Sequence, residues 1–299
     1  MLKILLGVIA LAGIVFFAVL VKDCMKHYKQ KTLGNESFIT SGLIGAVANF
    51  FDTLGIGSFA IETSLFKNFK LVGDKKLPGT LNVGATLPTI VEALIFLTVV
   101  QVEPVTLVSM LLAAVAGALV GAGIISKLNE KAVQAAMGIA LVCVALLMIA
   151  GQLNLFPVGG DAIGLTGGKL IIGIIGNFIF GALNTLGIGL YAPCMALVFA
   201  LGMSPKVAFP IMMASCAILL PFASVKFIKE QAHAPKTSLA INIMGPIGVL
   251  IAAYLVKSLP LSTLKWVVVA VVLYTSFIMF KSFKSNKNAE TVDSSEESA

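Results

Sequence analysis

Three carboxylates lie within strongly apolar stretches of the chain: Asp52, Glu62 and Glu92. A charge at the centre of a bilayer costs about 2.5–3.5 kcal/mol on insertion scales, so an acid in such a stretch is by default a candidate for function. A buried carboxyl can take up and release a proton, which makes these three residues candidates for proton coupling. The alternative for each is a structural role, as a protonated acid that forms a hydrogen bond between helices.

Asp52 also begins a motif that occurs twice. Leu54–Gly57 and Leu186–Gly189 are both Leu-Gly-Ile-Gly, preceded by Asp52-Thr53 and by Asn184-Thr185 respectively. The same offset along the chain relates every position of the two copies, and each copy interrupts an apolar run long enough to cross a bilayer. Paired glycine-broken segments in corresponding halves of a chain indicate the binding site of a transporter built by internal duplication.

The chemistry that such a break allows is anion binding. Glycine permits the positive φ that a chain reversal needs, and the half-helix after the reversal presents free N–H groups and a partial positive charge. The alternative is that the glycines only allow close helix packing. The candidate substrate-binding residues of the two tips are Thr53, Gly55, Gly57, Ser58, Asn184, Thr185, Gly187 and Gly189.

Two cysteines extend this candidate site. Cys194 and Cys216 fall where the second broken segment and the next apolar run should face it, and thiols are a plausible lining for a sulfur anion. The alternative is that both are small buried packing residues. The four cysteines of the chain have no metal-ligand spacing, and a disulfide framework is not expected.

The composition is that of an integral membrane protein. Of the 299 residues 58% are apolar and 12% charged, with a mean hydropathy of +1.02, whereas soluble domains carry roughly 25% charged residues. Apolar runs near 20 residues predict helices rather than a barrel. Full spans are predicted at 4–21, 78–101, 105–126, 132–152, 206–226, 237–256 and 262–280, and glycine-broken segments at 40–66 and 168–201.

The charged residues also exclude several functions. All 21 basic residues are lysines, so bidentate guanidinium binding of an oxyanion does not occur. No nucleic-acid module is found, and the net charge of +7 fits loops that face an anionic leaflet. Neither a Ser-His-Asp pattern nor a phosphate-binding loop is present, and His27 and His233 lie at loop edges far from any cluster. We therefore expect neither an enzyme nor a bound metal or cofactor.

The lysines predict how the broken segments lie in the membrane, because cytoplasmic loops are enriched in lysine and arginine. If both segments crossed, the two sides would hold 10 and 11 lysines. If each segment is a re-entrant hairpin that leaves on the side from which it entered, the sides hold 16 and 5. The second arrangement has the expected bias, and it puts the amino terminus outside and the carboxyl tail in the cytoplasm.

The predicted fold is an all-α polytopic membrane protein with two inverted repeats. Each repeat is a re-entrant glycine-broken hairpin plus three transmembrane helices, and one extra transmembrane helix precedes them. Because each repeat crosses an odd number of times, the second is inverted and the two tips should meet near the midplane. The predicted segments are 1–37 (first helix and basic cytoplasmic loop), 38–153 (repeat 1), 154–167 (extracellular linker), 168–283 (repeat 2) and 284–299 (disordered polar tail).

The first apolar segment has a second interpretation. Residues 1–21 could be a cleaved signal peptide, since Lys3 precedes an apolar core. The core is, however, longer than usual for a signal, and no small-x-small site precedes the lysine cluster at 22–31. We therefore expect a retained first span.

The second repeat resembles a known family. The run Gly181-Ala-Leu-Asn-Thr-Leu-Gly-Ile-Gly-Leu-Tyr-Ala-Pro193-Cys-Met-Ala-Leu197, followed by Leu201-Gly-Met-Ser-Pro-Lys-Val-Ala208, is similar to the TauE/SafE sulfite exporters. The first repeat matches more loosely, and the resemblance spans roughly residues 38–283. It implies a bacterial membrane carrier for small sulfur-containing anions such as sulfite, thiosulfate or organosulfonates.

We therefore expect a secondary transporter for such anions in the bacterial plasma membrane, coupled to protons, with the small anion and the lipid bilayer as its partners. The alternatives are a membrane-embedded binding or scaffold subunit and a passive anion channel. Substrate identity, direction of transport, the coupling ion and the oligomeric state, for which a homodimer is one possibility, stay open at this stage.

Overall fold

The computed structural model describes residues 1–54, 56–97, 101–255 and 261–296, and in this part of the chain the regular structure is helical. A single-turn 3-10 helix, Asp74–Lys76, precedes the fourth α-helix. The α-helices are α1 (Leu2–Lys29), α2 (Phe38–Thr53), α3 (Ser58–Asn68), α4 (Leu77–Phe96), α5 (Pro104–Ile125), α6 (Glu130–Gln152), α7 (Gly167–Asn184), α8 (Tyr191–Ala200), α9 (Pro205–Lys229), α10 (Pro235–Leu255) and α11 (Leu261–Glu296).

Eight of the described helices are long and apolar enough to cross a membrane, which confirms the all-α polytopic membrane fold. Seven of them correspond to the predicted full spans. The eighth is α7, the first arm of the second broken segment. The N-terminal helix α1 extends to Lys29 and so takes in part of the predicted basic loop.

The last helix also differs from its expected extent. α11 continues to Glu296, through most of the polar segment 284–299 for which the sequence predicts disorder. Residues 284–296 contain neither glycine nor proline, so nothing in that stretch stops a helix that the preceding apolar span has already nucleated.

Both broken segments fold back on themselves. Asn49 lies four residues before the end of α2 and Glu62 four residues after the start of α3, yet the Asn49 amide donates to the Glu62 carboxyl at 3.2 Å. A straight helix would separate these two positions by about 20 Å. In the second segment, Gly176 of α7 lies against Leu197 of α8. Each pair of helices is therefore a hairpin.

The long helices pack reciprocally. α2 packs against α10, and its counterpart α7 packs against α5, the counterpart of α10; α4 and α9 pack on each other, as do α6 and α11. Glycines set the closest approaches: Gly248 of α10 abuts the carbonyl of Ala46, and Gly117 of α5 abuts that of Phe178, which occupies in the second copy the position of Ala46 in the first. Such reciprocal packing is what two copies related by a twofold axis would produce. The repeat boundaries and the inversion stay predictions.

Candidate functional site

The two hairpin tips line one cavity of about 450 Å³, within the range of small-molecule sites. The lining comes from both tips, from α4 and α9, and from the end of α6 and the start of α11. The residues that the tips and the first turns of α3 and α8 contribute are Asp52, Ile56, Gly57, Ser58, Phe59, Ala60, Asn184, Gly187, Gly189, Leu190, Tyr191 and Ala192.

The backbone of the two tips is closed in the same way. The N–H of Ile56 donates to the carbonyl of Phe51 at 3.0 Å, and the N–H of Ile188 donates to that of Leu183 at 3.3 Å. The donors occupy equivalent positions of the two motif copies, and so do the acceptors. The sequence duplication is thus also a duplication of backbone geometry.

The residue before each tip caps the half-helix after it. Asp52 Oδ1 accepts a hydrogen bond from Ser58 N at 3.1 Å, and Asn184 Oδ1 accepts one from Leu190 N at 3.2 Å. The Ser58 hydroxyl adds a bond of 2.9 Å to Asp52 Oδ2. An Asx side chain placed in this way satisfies one of the amides that a helix start leaves without a partner.

The two caps differ in charge, so the two helix starts offer an anion different surroundings. The positive end of α3 already faces the carboxylate of Asp52, whereas the end of α8 faces the neutral amide of Asn184. A second anion at the first tip would be repelled by Asp52, while at the second tip it would meet an uncompensated helix end. The geometry therefore favours the second tip for an anion and the first for a cation or proton.

The second tip offers donors to such an anion. Tyr191 and Ala192 lie in the first turn of α8 and line the cavity, and first-turn amides have no partner within their own helix. The hydroxyl of Tyr191 is buried and has no hydrogen-bond partner among the described residues. Lys265 of α11 supplies the one basic side chain of the described lining.

A polar network from α4 holds the second tip in place. Asn82 donates to the carbonyl of Thr185 at 3.2 Å and accepts from the Asn184 amide at 3.4 Å. Ser224 of α9 donates to the carbonyl of Asn82 at 3.0 Å, so the crossing of α4 and α9 is tied to the same network. The residue that corresponds to Asn82 at the first tip is Ala214, which has no such side chain.

The glycines of the tips have different roles. Gly57 and Gly187 each adopt φ +97°, and a Cβ at Gly187 would come into van der Waals contact with Leu81 and Met137. Gly189 has no positive φ, and a Cβ there would meet nothing within 4 Å. Its place in the lining means that this Cβ would project into the cavity. Gly55 lies outside the described residues.

Three of the residues predicted to bind substrate do not line the cavity. The hydroxyl of Thr53 donates to the carbonyl of Asn49 at 2.9 Å, and that of Thr185 to the carbonyl of Ala182 at 2.6 Å. Threonine at a helix end commonly forms such a bond to the preceding turn. Cys194 is fully buried behind the tip, whereas Cys216 does line the cavity.

The three acids lie at different depths. Asp52 lines the cavity, while Glu62 is fully buried behind it and Glu92 is 4% exposed. The charge of Asp52 reaches both glutamates. All three thus belong to one electrostatic cluster at the first tip.

The sequence also held signals for two lining residues that were not among the predicted site residues. Tyr191 is the first residue of the half-helix after the second tip, so its place in the motif points to the site. Lys265 stands at the start of the predicted span 262–280, and the long side chain of a lysine at the end of a span can extend along its helix.

The expectation that the histidines lie far from any cluster is wrong. His233 is buried between α9 and α10, where it contacts Asp23 of α1 and Ser238, each at 3.1 Å. Gln231 joins His27 at 2.7 Å to the same Asp23 at 3.2 Å. Residues from opposite ends of the chain meet here because α1 packs against α9 and α10.

The family model of the sulfite exporter TauE/SafE matches residues 1–148 and 170–298. No curated protein and no solved structure matches.

Proposed function

The chain belongs to the sulfite exporter TauE/SafE family, and from that membership we propose that it is a secondary transporter of small sulfur-containing anions, with its substrate site at the two hairpin tips. The family consists of transporters, not enzymes. The observation that carries the proposal is the shared cavity, lined by both tips and by unpaired donors of the second.

The anionic head of the substrate binds at the second tip. It accepts hydrogen bonds from the free amides of the first turn of α8 and from the hydroxyl of Tyr191, and the ammonium group of Lys265 balances its charge. Burying a hydroxyl without a partner costs about 1–3 kcal/mol, and a bound oxyanion restores that bond.

The rest of the cavity favours a substrate with an apolar part. Beyond the tips the lining is largely apolar and includes Met195, Met212, Phe156 and Leu147, beside the thiol of Cys216. An organosulfonate leaves its sulfonate at the polar end and places its hydrocarbon part against these side chains. An inorganic dianion would have few partners there.

The acids of the first tip couple transport to protons. Asp52, Glu62 and Glu92 form one cluster beside the cavity, and the second repeat places Asn184, Cys194 and Ser224 at the corresponding positions. The residues that bind the anionic head and the residues that bind the proton therefore belong to opposite halves of the duplication. In this proposal the two repeats are inverted, the N terminus lies outside, and both tips lie at the midplane. Each half of the chain then contributes one tip to the shared site.

Reconstitution tests the function. Proteoliposomes are prepared, and the uptake of labelled sulfite, thiosulfate and a short alkyl sulfonate is measured with and without a proton gradient. We expect saturable uptake that the gradient drives uphill, with Tyr191→Phe and Lys265→Gln raising KM and Lys265→Arg restoring it in part. Flux that never exceeds equilibration would indicate a passive channel, and no flux of any of the three would indicate a binding or scaffold subunit.

A further inference from the structure

We propose that Glu62 and Asn49 together form the proton-binding site, in which the acid holds its proton as a hydrogen bond to the amide across the two arms of the first hairpin. The inference rests on the proposed function only in naming the bound proton as the one coupled to transport. The proton site itself stands on the contacts of these two side chains.

The first observation is a half-made pair. The Asn49 amide donates to Glu62 Oε1 at 3.2 Å and to the carbonyl of Gly45 at 2.8 Å, so both of its N–H groups are used. The remaining oxygen on each side chain, Asn49 Oδ1 and Glu62 Oε2, is buried and has no partner in the described part of the chain.

A proton on Glu62 would give both of these oxygen atoms a hydrogen-bond partner. A carboxylate and an amide oxygen are both acceptors, so the ionised acid cannot use Asn49 Oδ1. A protonated Glu62 carries one O–H donor, which can be given to that oxygen while Oε1 continues to accept from the amide. The acid and the amide are then complementary at both positions, and no buried polar atom of the pair is left unsatisfied.

The surroundings of Glu62 favour this assignment over the other two acids. Asp52 already accepts from Ser58 at both carboxylate oxygens, so it has no comparable vacancy. Three helices pack on α3. α2 contributes the charge of Asp52, and α4 contributes Glu92, which interacts with Asp52. α11 contributes the neutral Thr275, which contacts Ser64. No lysine pairs with Glu62 in the described residues.

The pair exists in the first repeat alone. Gly181 and Cys194 occupy the positions that correspond to Asn49 and Glu62. Gly181 abuts the carbonyl of Ala114, so a side chain there would displace α5. Since Asn49 belongs to α2 and Glu62 to α3, loss of the proton removes one of the two proposed hydrogen bonds between the arms. The state of protonation thereby acts on the hairpin that carries the tip.

Infrared spectroscopy of the purified protein at neutral pH tests the site without any substrate. We expect a carbonyl band of a protonated carboxylic acid that Glu62→Gln removes, while the matched variant Glu92→Gln retains it. Asn49→Leu should move the same band to higher frequency, because the hydrogen bond to the amide is lost. A band that Glu62→Gln leaves unchanged, or that Asn49→Leu does not move, would overturn the site.

Transport separates this inference from the proposed function. Gln supplies the N–H donor and the oxygen acceptor of a protonated Glu, so Glu62→Gln should fold with an unchanged melting temperature and lose accumulation driven by a proton gradient. Accumulation that persists in this variant would show that the proton at Glu62 is not the coupled one. Absence of anion transport in the wild type would contradict the proposed function and leave the infrared result standing.

Discussion

The carboxylate of Asp52 accepts both hydrogen bonds that Ser58 offers, from its backbone N–H at 3.1 Å and from its hydroxyl at 2.9 Å. The negative charge of Asp52 therefore compensates the partial positive charge at the amino-terminal end of α3. At the second tip the same place in the motif holds the neutral Asn184. One change between Asp and Asn thus distinguishes two otherwise duplicated helix starts.

Adding a negative charge at the second tip should lower the affinity for the anion. Asn184→Asp keeps the cap on Leu190 but adds a negative charge beside the proposed anion, a repulsion of several kcal/mol at a few ångströms for an effective dielectric constant near 20. We expect KM for the anion to rise by about 10-fold or more, since each 1.4 kcal/mol is tenfold. The matched control, Asn184→Ser, keeps a capping oxygen without the charge and should raise KM much less. Equal effects of the two variants would show that the cap, and not the charge, is what matters.

The glycines of the second tip should separate folding from transport. Gly187→Ala forces a Cβ into φ +97°, which costs about 1–3 kcal/mol of stability, so the melting temperature in detergent should fall. Gly189→Ala meets neither strain nor a neighbour and should melt like the wild type, while its methyl group fills part of the cavity and lowers the rate of uptake. Wild-type uptake by Gly189→Ala would mean that substrate does not approach this glycine.

Labelling of single cysteines tests the predicted orientation in the membrane. In a background without Cys24, Cys143, Cys194 and Cys216, an impermeant maleimide added from outside should label cysteines at Gln101 and Asp161 but not at Lys75 and Lys127. All four positions are exposed at helix ends or in loops. The first broken segment lies between the exposed Lys31 and Lys75. Labelling of cysteines at these two positions from opposite sides would mean that this segment crosses the membrane, and the inverted-repeat arrangement would be wrong.

The buried His233 should make stability depend on pH. Burial lowers the pKa of His233 below its usual 6.5, against the opposing effect of Asp23. The folded protein therefore keeps this imidazole neutral at pH values where the unfolded chain protonates it. This stability is present above pH 6.5 and is lost as the pH falls towards the lower pKa of the folded state. Thermal unfolding between about pH 8 and 5 should show the loss, and His233→Gln, which does not titrate, should weaken it. An identical pH profile in the variant would contradict this role.

The sequence by itself determined the membrane class, the all-helical fold, seven of the spans and the positions of both tips. These follow from local properties: the length of apolar runs, the glycines that break them and the recurrence of one motif in both halves. It also brought Asp52, Ser58 and Asn184 into one motif, because cap and capped residue are close neighbours in the chain.

Tertiary structure decided which of those residues face the cavity and which partners they have. Thr53 and Thr185 belong to the motif but bond to their own helices, whereas Lys265 reaches the cavity from the start of α11, far along the chain from either tip. The pairs Asn49–Glu62 and Asp23–His233 depend on how a hairpin closes and how α1 packs on α9 and α10. Such contacts depend on how the helices are placed relative to one another. The local periodicity of a sequence does not specify that placement.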